Sequence, residues 1–313
     1  MIKVGIVGCD NLQAAELVRI LINHPDVELM WVIDAPRAGM RLDDIVPGIV
    51  GETDLTVLAE SRLDGIDVLY WCGSRSEAEA YFARLDIPED LKVIDLSGSH
   101  NLDHGEDRPW KYGLSEMQRR VLVHDARLVT VPGNVATASL LAVMPMARNL
   151  LLNSPLELHV ALGVSALGDA DVDLDDLARN QRQEIVMALE QCQSSFGQPV
   201  TLSVTRLAEH RTLAVAARFK CGVAGEMIRQ LYAQYYEDHN FVFMVDRPIV
   251  TADIENTNKC LIHIDKDEAR GLLTIHAVMD ALLKGSAGTA VHAMNLLFGL
   301  HEKVGLAFKG TGC

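Results

Sequence analysis

Residues 1–131 alternate between short apolar runs and segments whose apolar residues recur at helical spacing. The apolar runs are rich in β-branched residues, which predicts strands, and the spaced segments at 11–25 and 76–85 predict helices. The predicted strands cover residues 2–8, 27–34, 66–73, 91–98 and 128–131. Strands that alternate with helices form βαβ units, so we expect a parallel sheet with helices on both faces.

The pattern changes after residue 150, where long stretches alternate apolar and polar residues, as strands with one solvated face do. These predicted strands cover residues 155–166, 199–207, 212–220, 260–267 and 271–280, and helices are predicted at 181–195 and 224–238. We therefore expect a second, α+β domain with a largely antiparallel sheet over 151–285. The first, Rossmann-like domain of this α/β protein is expected over 1–150, completed by residues 286–313, whose helix at 288–306 should pack against it.

Residues 130–139, TVPGNVATAS, combine the end of a strand, a Pro-Gly turn and the start of a helix. A side chain on such a turn is pushed into the open, and backbone N–H groups of the new helix point towards whatever binds there. Enzymes place nucleophiles at this position, but here it holds Asn134, whose amide is not nucleophilic. Because asparagine is among the best N-cap residues, we expect Asn134 to cap this helix and stabilise it by roughly 1 kcal/mol.

The segment GIVGCDNLQAA at residues 5–15 has the position of a dinucleotide-binding turn, where glycines let backbone N–H groups approach a pyrophosphate. Gly5 and Gly8 fit this pattern, whereas Asn11 is expected to put a side chain where the pyrophosphate would lie. Asp34 ends the second predicted strand, where a carboxylate can bind a ribose 2′-hydroxyl and favours NAD over NADP. The alternative for Asp34 is a simple turn before a proline.

Composition excludes several classes of protein. The chain has 313 residues, is 49% hydrophobic and 23% charged, and carries a net charge of −15. Such an acidic chain offers no electrostatic basis for binding nucleic acid or an anionic membrane, and no apolar run reaches the roughly 20 residues of a membrane span. The six cysteines are scattered without zinc-type spacing, so we expect no metal and a reducing, cytoplasmic compartment. The acidic run 168–177 is interpreted as a surface loop, with a metal site as the alternative.

Several stretches together resemble the N-acetyl-γ-glutamyl-phosphate reductases, the acylphosphate reductases of arginine biosynthesis. They follow in order along nearly the whole chain: MIKVGIVG, AAELVRILINHPDVEL, VIDLSGSHNL, KYGLSEM, TVPGNVATAS and LLKGSAGTAVHAMNLLFGLHEKVGL. The likeness is greatest to the variant of Bacteroidetes-type bacteria, whose substrate can carry a succinyl group. The resemblance implies the fold of aspartate-semialdehyde dehydrogenase, with a Rossmann domain and an α+β catalytic and dimerisation domain. It also implies a cysteine that attacks the acylphosphate, and NADPH that reduces the resulting thioester to a semialdehyde.

The residues that carry this chemistry in the family are replaced here. Asn134 stands at the position of the nucleophilic cysteine, and Gln181 stands at the position of the histidine base. Glutamine cannot move a proton near neutral pH. Asn101 replaces an arginine expected to bind the substrate carboxylate, and Asn11 departs from the small residue expected in the phosphate loop. The segment before Gln181 is also shorter than in the family and lacks its Gly-rich loop.

Other positions of the family's sites are assigned by the resemblance alone. It places Glu184 and Arg211, together with Asn101, on the substrate side. On the cofactor side, besides the residues of the phosphate loop and Asp34, it places residues of the third and fourth strands and of the C-terminal motif: Cys72, Gly73, Ser97, Lys284, Gly285, Gly288 and Asn295.

The nucleophile, the base and the anion-binding arginine of the family are all replaced, whereas the residues that shape the scaffold are retained. This pattern favours the hypothesis that the protein is a homologue without catalytic activity. Such a protein would bind a small molecule in the family's cleft and act in binding, regulation or assembly, as a homo-oligomer or together with a catalytic paralogue. Binding of NADP or NAD, which the family implies, would be weak or lost. The alternative is an active reductase with a substitute nucleophile such as Cys72, which can equally be a buried strand cysteine. A new chemistry that uses His100, His210 or His292 is the third hypothesis.

Overall fold

In this computed structural model the chain forms two compact units. Unit 1 comprises Met1–Pro132 and Ser286–Ala307, and unit 2 comprises Gly133–Gly285 and the chain from Phe308 onwards. The structure describes residues 1–60, 63–84, 86–103, 107–167, 172–208 and 211–310. His210, the first part of the acidic run (168–171) and the end of the C-terminal stretch (311–313) lie outside this description.

Unit 1 contains, among its described residues, a six-stranded sheet in which every neighbouring pair is parallel. The strand order is β2-β1-β3-β4-β6-β5. The strands are β1 (Ile2–Val7), β2 (Val27–Ile33), β3 (Val68–Trp71), β4 (Lys92–Asp95), β5 (Trp110–Tyr112) and β6 (Leu128–Thr130). The central strands are almost wholly buried, which explains their continuous apolar runs. The Rossmann-like parallel sheet predicted from the sequence is confirmed.

The helices of unit 1 include one from the C-terminal part of the chain. They are α1 (Leu12–Ile22), α2 (Leu42–Ile45), α3 (Arg75–Phe82), α4 (Ser115–His124) and α9 (Gly288–Leu297). α9 contacts α1 and α4. Its buried His292 has both ring nitrogens engaged, with Nδ1 3.1 Å from Ser115 Oγ and Nε2 2.7 Å from Glu302 Oε2. Arg119 of α4 also pairs with Glu302. These bonds fasten the C-terminal segment to α4, so His292 has a structural role and is not a free base.

Unit 2 contains, in the part that the structure describes, a second six-stranded sheet ordered β10-β11-β12-β9-β7-β8. The strands are β7 (Leu156–Gly163), β8 (Val200–Leu207), β9 (Thr212–Lys220), β10 (Val242–Met244), β11 (Cys260–Asp267) and β12 (Leu272–Asp280). The three central pairings are antiparallel, and the outer pairings β10–β11 and β7–β8 are parallel. The sheet is therefore mixed, with the antiparallel pairs in the majority as the alternating sequence pattern predicts.

Helices cover this second sheet from one side. They are α5 (Asn134–Arg148), α7 (Leu174–Cys192) and α8 (Gly225–Tyr236), and a short helix α6 (Val164–Leu167) follows β7. Sequence analysis assigns residues 133–150 to the first domain, but the structure places them in unit 2, because α5 packs on β9 and β12. α7 begins inside the acidic run that was interpreted as a loop. Asp173 caps it by accepting from the N–H groups of Asp175 and Asp176, where negative charge is favourable to the helix dipole.

Short elements at the edges of the sheets have no counterpart among the predictions. β5 and β10 have only three residues each, too few to show a period of two, and both are edge strands. Their strand geometry is set by hydrogen bonds to a longer neighbour rather than by their own pattern. α4 is also missing from the predictions, because its sequence SEMQRRVLVH is largely polar and gives a weak helical pattern.

Pro145 interrupts the hydrogen bonding inside α5. It has no N–H to donate to the carbonyl of Leu141, one turn earlier. Tyr236 of α8 supplies the missing donor, because its hydroxyl donates to Leu141 O at 2.5 Å. Tyr232, one turn earlier on α8, donates to Ala142 O at 2.5 Å, a carbonyl that keeps its partner in the helix. Tyr236 therefore satisfies a buried acceptor that would otherwise be left unpaired.

Tyr236→Phe should lower the free energy of unfolding by roughly 1–3 kcal/mol, because it leaves the buried Leu141 carbonyl without a donor. Tyr232→Phe, the matched control, should cost less. Adding Pro145→Ala to Tyr236→Phe should recover part of the loss, since the new backbone N–H can donate to Leu141. Urea unfolding of the single and double variants measures these differences. Equal losses at the two tyrosines, or no recovery in the double variant, would contradict this account.

Candidate functional site

The strand-to-helix turn predicted at residues 130–139 is present. β6 ends at Thr130, Gly133 is the N-cap residue, and α5 begins at Asn134. The prediction that Asn134 is the N-cap is wrong, because Asn134 is already the first helical residue. Its amide oxygen accepts from the N–H of the next residue, Val135, at 2.7 Å. The acceptors that satisfy the start of α5 come instead from another helix.

Two side chains of α7 bind the first N–H groups of α5. Gln181 Oε1 accepts from the N–H of Ala136 at 2.9 Å, and Glu184 Oε1 accepts from the N–H of Gly133 at 3.0 Å. Residues three apart share one face of a helix, which is why both side chains reach the same helix end. Glu184 is only 3% exposed, and its carboxylate opposes the positive end of the α5 dipole. Donors that could hold an anion are thus engaged by the protein itself.

Two glycines make the turn fit its surroundings. A Cβ built on Gly133 would lie 2.1 Å from Gln181 Nε2, and a Cβ on Gly285 would lie 3.0 Å from Asn134 Cβ. Gly285 therefore packs against the start of α5. The amide side chains of Asn134 and Gln181 are neither nucleophiles nor bases near neutral pH. These two side chains can hold a helix end, but they cannot form a covalent intermediate.

The glycines of the predicted phosphate loop have different roles. Gly8 has a φ of +86°, and a Cβ there would lie 2.8 Å from Gly73 N. Gly8 and Gly73 therefore allow a close approach between the turn after β1 and the end of β3. Gly5 lies within β1, where a Cβ would lie 2.4 Å from the Trp31 indole. The contact with Trp31 is sufficient to explain why residue 5 is a glycine.

Asn11 caps α1 and directs its amide into the protein. Its Oδ1 accepts from the Ala14 N–H at 2.8 Å, and its Nδ2 donates to the Cys72 carbonyl at 2.8 Å. The structure therefore differs from the expectation that this side chain fills the pyrophosphate position. The nearby N–H of Gly8 donates to the Ile33 carbonyl at 2.7 Å. Two donors of the loop, the N–H groups of Gly8 and Ala14, therefore have acceptors within the protein.

Asp34 is buried at the end of β2. Its Oδ2 accepts from the Cys9 N–H at 3.3 Å, and Arg37 Nη1 lies 3.3 Å from the same oxygen. Arg37 also lies 3.5 Å from Asp10 Oδ2. Sequence reasoning missed Arg37, although a basic residue just after the acid at this strand end is a known position for binding a 2′-phosphate. Here two carboxylates already neutralise it.

A pocket of about 660 Å³ opens beside these residues within unit 1. Its lining includes Gly8, Asp34 and Gly73 from the predicted cofactor set. Trp71 and Tyr81 also line it, with ring centroids 4.7 Å apart. Aromatic side chains suit a flat ring such as adenine, and a buried carboxylate suits ribose hydroxyls. The pocket therefore fits the adenosine half of a dinucleotide.

The thiols beside the pocket are not activated. Burial raises the pKa of the Cys72 thiol far above its ordinary value, and the Asp95 carboxylate adds to the shift. Burial and the hydrogen bond to Asp34 raise the pKa of Cys9 to about 12. A nucleophilic cysteine needs the opposite shift, because the thiolate is the reactive form. The geometry gives Cys72 the character of a buried strand cysteine.

The residues after β4 form a polar cluster around Asp95, which is fully buried. Ser97 Oγ donates to Asp95 Oδ1 at 2.6 Å, and His100 Nδ1 lies 3.0 Å from Oδ2. Asn101 is buried and accepts from Thr130 Oγ1 at 2.5 Å. Ser97, His100 and Asn101 are thus bound to the scaffold at the carboxyl ends of β4 and β6. Asn101, in particular, has its side-chain oxygen engaged by the protein.

Arg211 and Lys284 are held inside unit 2. Arg211 forms a two-point contact with the buried Asp280, with Nε 2.7 Å from Oδ2 and Nη2 3.3 Å from Oδ1. Asp280 Oδ1 also accepts from the N–H groups that follow β12, at 2.9 and 3.0 Å. Lys284 is fully buried, and its ammonium lies 5.8 Å from the ring centroid of Phe241. Both cations therefore have a structural environment within the unit.

The two remaining positions of the C-terminal motif lie on α9. Gly288 is its first residue and is buried. Asn295 Nδ2 donates to the carbonyls of Glu302 at 3.1 Å and Val304 at 2.9 Å, and its Oδ1 lies 3.1 Å from His24 Nε2. Burial lowers the pKa of His24, which favours the neutral ring in this contact. Asn295 thereby holds the chain after α9 against unit 1.

The assembled geometry brings together Asn134, Gln181, Glu184 and Gly285 in unit 2, and Gly8, Asp34 and Gly73 at the pocket in unit 1. Gly5, Ser97, Asn101 and Asn295 have structural partners elsewhere in unit 1. No described helix combines the length and the apolar character needed to cross a bilayer.

Comparison with known proteins agrees with this architecture. Residues 3–124 match the family described as "semialdehyde dehydrogenase, NAD binding domain", and residues 180–281 match "semialdehyde dehydrogenase, dimerisation domain". The solved aspartate-semialdehyde dehydrogenase II of Vibrio cholerae, complexed with ASA, superposes with a TM-score of 0.74 over 96% of this chain and 98% of that one. At 13% sequence identity this likeness shows the fold alone.

Two relatives are similar along their whole length. The N-acetyl-γ-glutamyl-phosphate reductases of Parabacteroides distasonis and Phocaeicola vulgatus are each 36% identical to this chain over 322 aligned positions, which cover 99% of both sequences. The resemblance inferred from the sequence is confirmed, and the chain belongs to the N-acetyl-γ-glutamyl-phosphate reductase family.

Proposed function

We propose that this protein is a non-catalytic member of its family, which binds a nucleotide and acts in regulation or assembly. The observation that carries the proposal is the engagement of the α5 N-terminus by Gln181 and Glu184, beside an asparagine at the nucleophile position. The family's substrate class would be an N-acyl-γ-glutamyl phosphate, of arginine biosynthesis.

Reduction of an acylphosphate through a thioester begins with attack by a thiolate. The sulfur bonds to the carbonyl carbon and the bond to the phosphate oxygen breaks. A hydride then adds to the thioester carbon and the carbon–sulfur bond breaks, which yields the semialdehyde and returns the thiolate. The amide of Asn134 offers no such electron pair, because its nitrogen lone pair is delocalised. Gln181 carries no proton that titrates near neutral pH, and its oxygen is already bound to Ala136. A bound nicotinamide dinucleotide would supply hydride, but this turn provides no thioester to receive it.

The second candidate, an active reductase that uses Cys72, has less support. Burial keeps that thiol protonated, and its backbone carbonyl is tied to Asn11. The start of α3, three residues beyond Cys72, is already capped by Ser74 and Glu77. We therefore place this second candidate behind the non-catalytic hypothesis.

The nucleotide bound in unit 1 would be NAD or NADP, with NAD bound no more weakly than NADP. Asp34 can accept a hydrogen bond from a ribose 2′-hydroxyl and would repel a 2′-phosphate. Arg37, which could receive that phosphate, is shared between Asp34 and Asp10. Binding would be weak, because Asn11 and the carbonyl of Ile33 already take up donors of the loop.

Assembly would involve a second copy of the chain or a catalytic paralogue, since residues 180–281 match a dimerisation domain. A paralogue with a cysteine at the turn would supply the chemistry that this chain lacks. We place the protein in the cytoplasm, in keeping with the five described cysteines, none of which forms a disulfide within the described part of the chain.

The purified protein should show no phosphate-dependent oxidation of N-acetylglutamate semialdehyde with NAD or NADP, followed by the absorbance of the reduced nicotinamide. Asn134→Cys alone, and Asn134→Cys with Gln181→His, should remain inactive, because positioning of the substrate contributes about 7 kcal/mol or more to such a barrier. The reductase of Parabacteroides distasonis is the positive control. Turnover by Asn134→Cys would overturn the proposal, and turnover of the unchanged protein that disappears in Cys72→Ala would establish the second candidate.

Gln181 should shield a thiol placed at the turn. Asn134→Cys puts a half-buried thiol at the start of α5, and removal of Gln181 frees the Ala136 N–H to stabilise its thiolate. Asn134→Cys/Gln181→Ala should therefore react with iodoacetamide several-fold faster than Asn134→Cys, as measured by mass spectrometry. Asn134→Cys/Gln183→Ala is the matched control, because Gln183 is an exposed residue of the same helix. Equal rates in all three variants would mean that Gln181 does not occupy the donors of α5.

Calorimetry should give dissociation constants weaker than about 1 μM for both NAD and NADP, with NAD bound at least as well. Asp34→Asn should shift the preference towards NADP, since it removes a negative charge and releases Arg37. Asp54→Asn, at a fully exposed carboxylate, serves as the control. Tight binding of NADP by the unchanged protein would show that the loop donors are available after all.

A further inference from the structure

The pocket of unit 1 opens at the carboxyl ends of three neighbouring strands. β2, β1 and β3 lie side by side in the parallel sheet. Asp34 directly follows β2, Gly8 directly follows β1 and Trp71 ends β3, and all three line the pocket. Ligands of open parallel sheets bind at this edge. The volume of about 660 Å³ is within the range of small-molecule sites.

Aromatic and apolar side chains form one part of the lining. Trp71 is buried, and the ring of Tyr81 from α3 is tilted by 36° against it at a centroid distance of 4.7 Å. The indole N–H of Trp71 donates to the carbonyl of Ser74 at 3.4 Å, so this N–H is held by the protein. Ile33 and Pro36 add apolar surface. A planar base stacks on such rings whatever its hydrogen-bonding groups, and a purine covers more of them than a pyrimidine does.

Asp34 provides acceptors for a sugar. Its side chain is 7% exposed, and Oδ2 accepts from the N–H of Cys9 at 3.3 Å. Oδ1 has one contact among the described residues, with Arg37 Nη1 at 3.4 Å. A carboxylate has about four lone-pair positions on its two oxygens, so Asp34 keeps capacity for further donors. The neighbouring hydroxyls of a ribose are donors of this kind.

Four backbone donors around the pocket are already bonded within the protein. At the turn after β1, the N–H of Gly8 donates to a carbonyl of β2 at 2.7 Å, and the N–H of Cys9 donates to Asp34. At the start of α3, the N–H of Ser74 donates to Glu77 Oε2 at 3.0 Å, and the N–H of Glu77 donates to Ser74 Oγ at 3.3 Å. Phosphate sites offer open N–H groups, whereas a phosphate here would have to compete for each of these four.

The charges of the lining are mainly negative. Asp10, Asp34 and Glu77 contribute carboxylates, and Arg84 is the only cation among the described residues that line the pocket. Arg37, beside the pocket, lies 3.3 Å from Asp34 Oδ2 and 3.5 Å from Asp10 Oδ2. Even with Arg37 included, the carboxylates outnumber the guanidinium groups. Such a pocket repels a phosphate and attracts a positive charge.

We propose that this pocket binds a purine nucleoside without phosphate groups, and that a positive charge at the 5′ position of the sugar strengthens the binding. The base stacks on Trp71 and Tyr81, and the ribose hydroxyls donate to Asp34. The 5′ substituent then meets the carboxylates of Asp10 and Glu77. The proposal rests on the nucleotide site of the proposed function, and it gives a reason why that site would bind dinucleotides weakly.

Carboxylates outside the pocket also repel anions. With a net charge of −15, the protein as a whole disfavours every negatively charged ligand. At about 0.1 M salt, exposed charges more than about 10 Å apart are largely screened, so distant carboxylates contribute less than those of the lining. Substitutions that remove equal charge inside and outside the pocket therefore distinguish the local effect from the general one.

Calorimetry with adenosine, AMP and 5′-amino-5′-deoxyadenosine tests the proposal on the intact chain. The three probes share base and sugar and differ in the charge at the 5′ position, which is absent, negative and positive in turn. At about pH 7 and about 20 mM salt, AMP should bind at least about fivefold more weakly than adenosine, and the amino compound at least about twofold more tightly. At about 0.5 M salt these differences should shrink below about twofold, because the charges are screened.

The variant Asp10→Asn/Glu77→Gln removes two carboxylates of the lining and releases Arg37, and glutamine preserves the capping box of α3. Its preference for adenosine over AMP should fall below about twofold at low salt. Asp54→Asn/Glu79→Gln, the matched control, removes two exposed carboxylates that do not line the pocket and should keep the preference of the unchanged protein. Circular dichroism verifies folding, and the salt series tests the role of charge without any substitution.

The outcomes separate this inference from the proposed function. If neither the three probes nor NAD nor NADP binds at about 1 mM, the nucleotide site and the inference are both overturned. If NAD, NADP or AMP binds more tightly than adenosine, the inference alone fails and the nucleotide site remains. Equal affinities of the three probes at low salt also overturn the inference. A preference that persists in Asp10→Asn/Glu77→Gln would exclude these carboxylates as its cause and overturn the assignment.

Discussion

The start of a buried helix leaves backbone N–H groups without partners in the helix, and at α5 side chains of a second helix, α7, meet this requirement. Gln181 and Glu184 provide the acceptors, at 2.9 and 3.0 Å, from one face of α7. The contact fixes α7 against the turn and demands a glycine at 133, where a Cβ would overlap Gln181. A helix end that is satisfied in this way needs no ligand to pair its N–H groups.

The same constraint is met at α1 by Asn11, which caps the helix and bonds to the end of β3. N–H groups at both helix starts are therefore bound by side chains of the protein itself: Asn11 at α1, and Gln181 and Glu184 at α5. Amides suit this purpose, because one group supplies an acceptor to an N–H and a donor to a carbonyl.

The two faces of the unit 2 sheet differ in what they pack against. One face packs on α5, α7 and α8, where Tyr236 even replaces the donor that Pro145 removes from α5. The other face carries the residues that alternate with the buried ones, such as the exposed Glu157 and His159 of β7.

The sequence by itself determined the two sheets, the strand-to-helix turn and the family, because apolar periodicity and glycine-containing turns are local properties that survive distant changes in the chain. Its interpretation of single polar residues was less reliable. Asn134 was expected to cap α5, Asn11 was expected to fill an anion site, and Asp173 was expected in a loop. Asn134 instead binds the N–H of Val135, Asn11 binds Cys72 and Ala14, and Asp173 caps the first turn of α7. The partner that a polar side chain finds depends on which segments the fold brings together.

Tertiary structure alone decided that β5 and β10 are edge strands and that α5 belongs to unit 2. It also decided that His263, His276 and His159 lie at the same level of neighbouring strands. A short edge strand is defined by hydrogen bonds to its neighbour, and the residues that lie side by side in a sheet are defined by strand register. Neither property can be read from a short stretch of sequence. The role of a polar side chain is likewise set by the nearest unsatisfied donor or acceptor, which the fold supplies from residues distant in the chain.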